Sequence, residues 1–157
     1  MLFLAGGGLG LFAGYKISAV RELAREWRPL DNPEGHDFFK TYGVMGHLKL
    51  VDMGSVSRLQ NPNDGPERRR EYLNLILNAA EKGKGQVTDP AALTLIDVET
   101  GITYVRLAMV EETAGNLRVS QTWMQKAQAT LKNAGWKDCS EAHLNELVQA
   151  LNQRDSL

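Results

Sequence analysis

The chain has 157 residues, of which 43% are hydrophobic and 24% are charged, and this composition is typical of a folded protein rather than a disordered one. Its 18 basic and 19 acidic residues give a net charge of −1. That balance argues against a general nucleic-acid binder, because such a protein needs a dominant basic face. The single cysteine, Cys139, excludes an internal disulfide and a multi-cysteine metal site.

The first segment of the chain is strongly apolar. No charged residue precedes Lys16, and residues 17–20 extend the apolar character up to Arg21. Twenty residues at the helical rise span about 30 Å, which is the thickness of the hydrocarbon layer of a membrane. We therefore predict a single-pass transmembrane helix, with residues 1–28 as the membrane anchor and its extension. The alternative is a signal segment whose removal leaves an exported, soluble helical domain, although the chain lacks a basic n-region.

Three glycines of this segment, Gly6, Gly10 and Gly14, recur at every fourth position and so share one face of a helix. Helices in lipid approach closely where side chains are absent, so this glycine zipper predicts packing against another subunit or a second copy of the chain. The flanking basic residues, from Lys16 to Arg28, all follow the apolar run. The positive-inside rule then predicts that most of the chain is cytoplasmic, with a periplasmic or exported location as the alternative.

Residues 29–66 give the least regular pattern. Apolar residues are frequent there, but Gly43, Gly46 and Gly54 interrupt every long run. We predict an irregular, loop-rich segment with short helices, closed by the loop 61–66, in which two prolines and a glycine break regular structure.

The remainder, residues 67–157, is predicted to be a helical domain. Thr88-Asp89-Pro90 is typical of a helix start, and Gly83, Gly115 and Gly135 are typical of helix ends. No segment alternates between apolar and polar residues, so the fold class is predicted as all-α. The predicted helices are 67–83, 90–99, 101–114, 117–134 and 140–152.

Residues 101–134 have the pattern of an α-hairpin with a tight turn at Gly115-Asn116. Large and small residues alternate on its facing sides, at Tyr104, Leu107, Ala108, Ser120, Met124 and Ala127. This pattern resembles one degenerate tetratricopeptide unit, followed by a capping helix, and the resemblance implies binding to another protein and no catalytic residue. Glu111 departs from the family pattern, which usually has an aromatic residue there. An ordinary α-hairpin explains the same pattern.

The histidines are the first candidates for chemistry. His36 lies beside Asp37 and His47 lies near Asp52, and each pair has the composition of an acid–base pair. No nucleophile or oxyanion donor occurs at a recognisable spacing, so we predict no catalytic residue and no cofactor.

Two further patterns invite a binding interpretation. Cys139 and His143 are four residues apart and supply half of a metal site, and without a second pair we predict no metal. The basic run 68–70 is flanked by Glu67 and Glu71, which is typical of a solvated helix start.

Together these patterns predict a membrane-anchored accessory or scaffolding subunit that mediates protein–protein interaction in a larger membrane complex, and not an enzyme. The predicted partners are other membrane-protein subunits and lipid, with no nucleic acid. The contact candidates are Tyr104, Trp123 and Trp136, because large aromatic side chains dominate interfaces. The alternative function is that of a metal- or cofactor-binding subunit, or an enzyme, using His36 and His47.

Overall fold

The computed structural model describes residues 33–154, which form five α-helices joined by short loops. They are α1 (Pro33–Leu59), α2 (Pro66–Lys84), α3 (Pro90–Thr113), α4 (Leu117–Asn133) and α5 (Glu141–Arg154). Within these residues there is no strand, and the all-α prediction is confirmed. The packing described below belongs to one compact unit, Asp37–Leu157.

The predicted membrane anchor, residues 1–28 with Gly6, Gly10 and Gly14, lies outside the described residues. Between residues 33 and 154, no helix combines the length and the apolar character that crossing a membrane requires.

The start of α3 follows the prediction. The Asp89 carboxylate accepts a hydrogen bond from the Ala92 backbone N–H at 2.9 Å, and Pro90 occupies the first turn. Both features stabilise a helix N-terminus, since the side chain satisfies a free N–H and proline has none to satisfy.

Two glycines end helices as predicted. Gly115 (φ +79°) follows α3 and Gly135 (φ +89°) follows α4, both in the left-handed region that favours glycine. After α3, the Asn116 N–H donates to the Glu111 carbonyl at 2.8 Å, the bond that closes a Schellman motif. The turn at Gly115 reverses the chain between the two helices of the α-hairpin, and the turn at Gly135 leads into the loop before α5.

The segment 29–66 differs from its prediction. In place of short helices, α1 continues without a break for 27 residues. Gly43, Gly46 and Gly54 lie inside it with open space where a side chain would be. Each glycine costs about 1 kcal/mol relative to alanine, and the burial of Leu48 and Val56 on the other side of the helix offsets that cost.

The break predicted between residues 99 and 101 is also wrong, because α3 is one helix of 24 residues. A Cβ atom on Gly101 would lie 2.5 Å from Leu131 Cγ of α4. Gly83 similarly lies inside α2, where a Cβ would meet Val44 Cγ1 of α1 at 2.9 Å. Both glycines permit close helix packing rather than ending a helix.

The core consists of two apolar clusters that share α3. The first joins α1, α2 and α3, and the second joins α3, α4 and α5. Because α3 packs on both sides, its sequence is apolar nearly all round. The hairpin positions Leu107, Ala108, Met124 and Ala127 are all buried in these clusters, as the α-hairpin prediction requires.

Candidate functional site

Two of the most buried charged side chains of the described part, Arg106 and Asp52, pair with each other. The side chain of Arg106 is only 2% exposed and that of Asp52, from α1, only 1%. Arg106 Nη1 donates to Asp52 Oδ1 at 2.6 Å and also lies 3.4 Å from Glu99 Oε1. Arg106 Nε donates to Asn152 Oδ1 of α5 at 3.0 Å. Lys49 Nζ donates to Asp52 Oδ2 at 3.1 Å. We call Lys49, Asp52, Glu99, Arg106 and Asn152 the Arg106 cluster.

The helices position this cluster through simple periodicity. Glu99, Thr103 and Arg106 are spaced by four and three residues, so they share one face of α3. The Thr103 hydroxyl donates to the Glu99 carbonyl at 2.8 Å, which satisfies this buried hydroxyl within its own helix. Arg106 lies on α3, the helix that the two apolar clusters share, and its side chain contacts α1 and α5. Its charge therefore connects three helices.

The pKa values of the two carboxyl groups in the cluster are shifted in opposite directions. Burial opposes ionisation of Asp52, but the Arg106 charge, with hydrogen bonds from Glu99 and Lys49, outweighs it and holds the pKa of Asp52 below its ordinary value. Burial raises the pKa of Glu99 to about 7, and the neighbouring Asp52 carboxylate adds to the rise. Arg106 thus stabilises the ionised form of Asp52, whereas Glu99 keeps its proton up to about neutral pH.

This arrangement connects three helices through hydrogen bonds between charged and polar side chains. Arg106 donates to its partners through Nε and Nη1, and the five residues of the cluster include no serine, cysteine or histidine to act as a nucleophile or base. Among the side chains that the structure describes, no group of three or more potential metal ligands occurs. Glu99 can exchange its proton with solvent, because its side chain is 20% exposed.

Stability is expected to fall as the pH rises from about 4.5 to about 7, because folded Glu99 binds its proton more tightly than unfolded Glu99 does. This contribution to the free energy of unfolding is fully present below about pH 4.5, is lost above about pH 7, and is on the order of 3 kcal/mol. Asp52 has the opposite sign, but it acts only below its ordinary pKa of 3.8. Denaturant unfolding across this pH range measures the slope.

The variant Glu99→Gln should flatten that slope, since the titrating carboxyl is removed while its shape remains. Glu112→Gln, at an exposed position on the same helix, is the matched control and should keep the slope. An unchanged slope in Glu99→Gln would assign the pH dependence to another group.

A second buried carboxylate, Glu111, lies near the end of α3. Arg70 of α2 donates to both of its oxygens, through Nε at 2.5 Å and Nη2 at 3.2 Å, and Asn116 Nδ2 donates at 2.8 Å. The hydrogen bond from Arg70 lowers the pKa of Glu111, so the pair stays ionised and connects α2 to the hairpin turn. Within the basic run, Arg70 therefore serves packing, and only Arg68 pairs with the flanking Glu71 as the sequence suggests.

A groove of about 340 Å³ separates α1 from the end of α2. Its lining is partly basic and consists of Lys40, Gly43, Val44, His47, Ala79, Lys82, Gly83 and Gln86. His47 thus faces this groove and is not paired with Asp52, which belongs to the Arg106 cluster. We call it the α1–α2 groove.

The predicted contact residues are only partly exposed. Tyr104 and Trp123 stack on each other across the α-hairpin with ring centroids 5.4 Å apart, and Lys126 Nζ lies 4.4 Å from the centre of the Trp123 ring. Trp136 packs against the second apolar cluster. All three aromatic side chains are partly buried and present the rest of their surface to solvent.

The remaining sequence candidates are dispersed. Cys139 is partly buried and its Sγ lies 3.7 Å from the Trp136 carbonyl, whereas His143 is exposed on α5. The side chain of His36 lies outside the described ones, so its predicted pairing with Asp37 stays a prediction.

An exposed apolar face on α1 escaped the sequence analysis. Tyr42, Leu50 and Met53 are 67%, 71% and 46% exposed. Their spacings of eight and three residues place them on one side of the helix. We call these three residues the α1 face. The spacing of these residues is present in the sequence, but it indicates a shared face only when residues 33–59 are known to form one helix.

Comparisons with protein-family models, with curated proteins and with solved structures found no match for this chain. The residues and their geometry therefore carry the functional argument.

Proposed function

We propose that this protein is a membrane-anchored accessory or scaffolding subunit, and that the α1 face binds another protein of the same membrane complex. The observation that carries the proposal is the exposure of Tyr42, Leu50 and Met53 along one side of a long helix. The apolar N-terminal segment, residues 1–20, supports the membrane location.

The composition of the α1 face suits a helical, apolar partner. Tyrosine is enriched at interface hot spots, and methionine adapts its shape to an irregular surface. Gly46 lies between Tyr42 and Leu50 in the chain, and Gly54 follows Met53, with open space at each missing side chain. A partner helix can approach the backbone at such positions, so that contact area is gained through close packing.

The α-hairpin gives secondary support. Its likeness to a tetratricopeptide unit implies protein binding, and the partly exposed Tyr104, Trp123 and Trp136 remain our contact candidates on that side. The α1 face is the better candidate because its side chains are more exposed and because the Arg106 cluster fixes α1 against α3.

Substitution of the α1 face tests the proposal. The double variant Leu50→Glu/Met53→Glu should lose its stoichiometric partner when the tagged full-length protein is purified from gently solubilised membranes, because two carboxylates would have to be desolvated at the interface. Its own fold should be unaffected, since both side chains are exposed.

Leu95→Glu is the matched control, because Leu95 is an exposed leucine (57%) that lies on α3 and not on α1. It should retain the partner. Equal recovery of the partner by both variants would reject the α1 face as the binding surface, and recovery of the wild-type protein alone would reject the accessory-subunit role.

A further inference from the structure

We propose that the α1–α2 groove binds a phosphate-bearing anion. Three basic side chains line it, Lys40 and His47 from α1 and Lys82 from α2, and the described side chains of its lining include no acidic one. Its volume of about 340 Å³ lies within the range of small-molecule sites. The inference is independent of the protein-binding role proposed above.

The basic groups of the groove are not neutralised by the protein. Among the described side chains, none of Lys40, His47 and Lys82 has a carboxylate within 4.0 Å, whereas Lys49 pairs with Asp52 and Lys84 with Asp97. Lysine ammonium groups on opposite walls of a concave site are a common means of holding phosphate.

Glycines give the groove its shape. At Gly83, a Cβ would clash with Val44, so the absence of a side chain allows α1 and α2 to close at the base. At Gly43, a Cβ would meet nothing within 4 Å, which leaves the groove open. An alanine or larger residue at 43 would project into the space that the anion requires.

At the end of α2 beside the groove, two of the terminal carbonyls already accept backbone hydrogen bonds. The Glu81 carbonyl accepts from the Gly85 N–H at 3.3 Å, and the Gly83 carbonyl accepts from the N–H groups of Gln86 and Val87 at 2.9 and 3.2 Å. The Gln86 side chain adds an amide group to the lining, which can donate a hydrogen bond to a phosphate oxygen.

The experiment uses the full-length chain in a nonionic detergent, with the backbone amide resonances of Gly43, Gly83 and Gln86 followed by NMR. Inorganic phosphate is titrated at constant ionic strength against chloride, and a short-chain phosphatidylglycerol is titrated separately. Saturable shifts confined to the groove are expected, with none at Gly115 and Gly135 in the distant turns. A response to inorganic phosphate would support the site for a free phosphate, and a response to the lipid alone would support it for a lipid headgroup.

The double variant Lys40→Glu/Lys82→Glu should weaken the binding about tenfold or more, because two attractive charges become repulsive. Lys132→Glu/Lys137→Glu, which reverses two exposed lysines elsewhere, should bind as the wild type does. Gly43→Leu should block binding without unfolding the chain. Absence of saturable shifts with both probes, or equal affinities for the two lysine pairs, would overturn the proposal.

Discussion

Arg106→Met is expected to lower the free energy of unfolding by about 3–5 kcal/mol, the usual loss when one partner of a buried ion pair is removed. Without the guanidinium, the Asp52 carboxylate remains buried and retains only Lys49 as a cation, and Asn152 loses its hydrogen-bond donor. Asp52→Asn should cost less, because Glu99 can ionise beside Arg106 in place of Asp52.

Denaturant unfolding of the full-length chain measures both losses. The double variant Asp52→Leu/Arg106→Met should recover most of the stability, because a buried ion pair replaced by apolar side chains of similar volume is often neutral or better. If Arg106→Met unfolds at the same denaturant concentration as the wild type, the Arg106 cluster does not hold α1 in place.

Gly101→Ala should destabilise the fold by about 1–2 kcal/mol, although alanine is the better helix former by about 1 kcal/mol. The added methyl group would lie 2.5 Å from Leu131 Cγ, and Leu131 is fully buried and has little room to move. Thermal or denaturant unfolding measures the loss of stability. A double-mutant cycle with Leu131→Ala tests whether that loss arises from contact with Leu131.

The same substitution at Gly54 is the control. Nothing lies within 4 Å of a Cβ there, so Gly54→Ala should stabilise the fold by about 0.5–1 kcal/mol through helix propensity alone. Equal effects at the two sites would mean that α3 and α4 do not approach as closely as described.

Local signals predicted the helix starts and turns from the sequence. Asp89-Pro90 and Gly115 act through their own backbone geometry, and each was identified correctly. The glycines within helices were interpreted wrongly, because a glycine can either end a helix or allow a neighbouring helix to approach closely. Which of the two applies depends on the residue that packs against the glycine. For Gly101 that partner is Leu131, which lies in the next helix.

The Arg106 cluster was missed for a related reason. Asp52 and Arg106 are 54 residues apart in the chain, so no local spacing joins them. A signal did exist, since Arg106 interrupts the apolar run from Tyr104 to Val110, and a charge in such a run usually has a buried partner. The identity of the partner follows only from the packing of α1 on α3.

Site-specific photo-crosslinking at position 50 tests the central claim most directly. A photoreactive amino acid replaces Leu50 in the full-length chain, irradiation is done in native membranes, and the adducts are separated by mass, with position 95 as the control. The α1-face proposal predicts one discrete protein adduct at position 50 and none at position 95. Adducts only with lipid or water at position 50, or the same adducts at both positions, would contradict it.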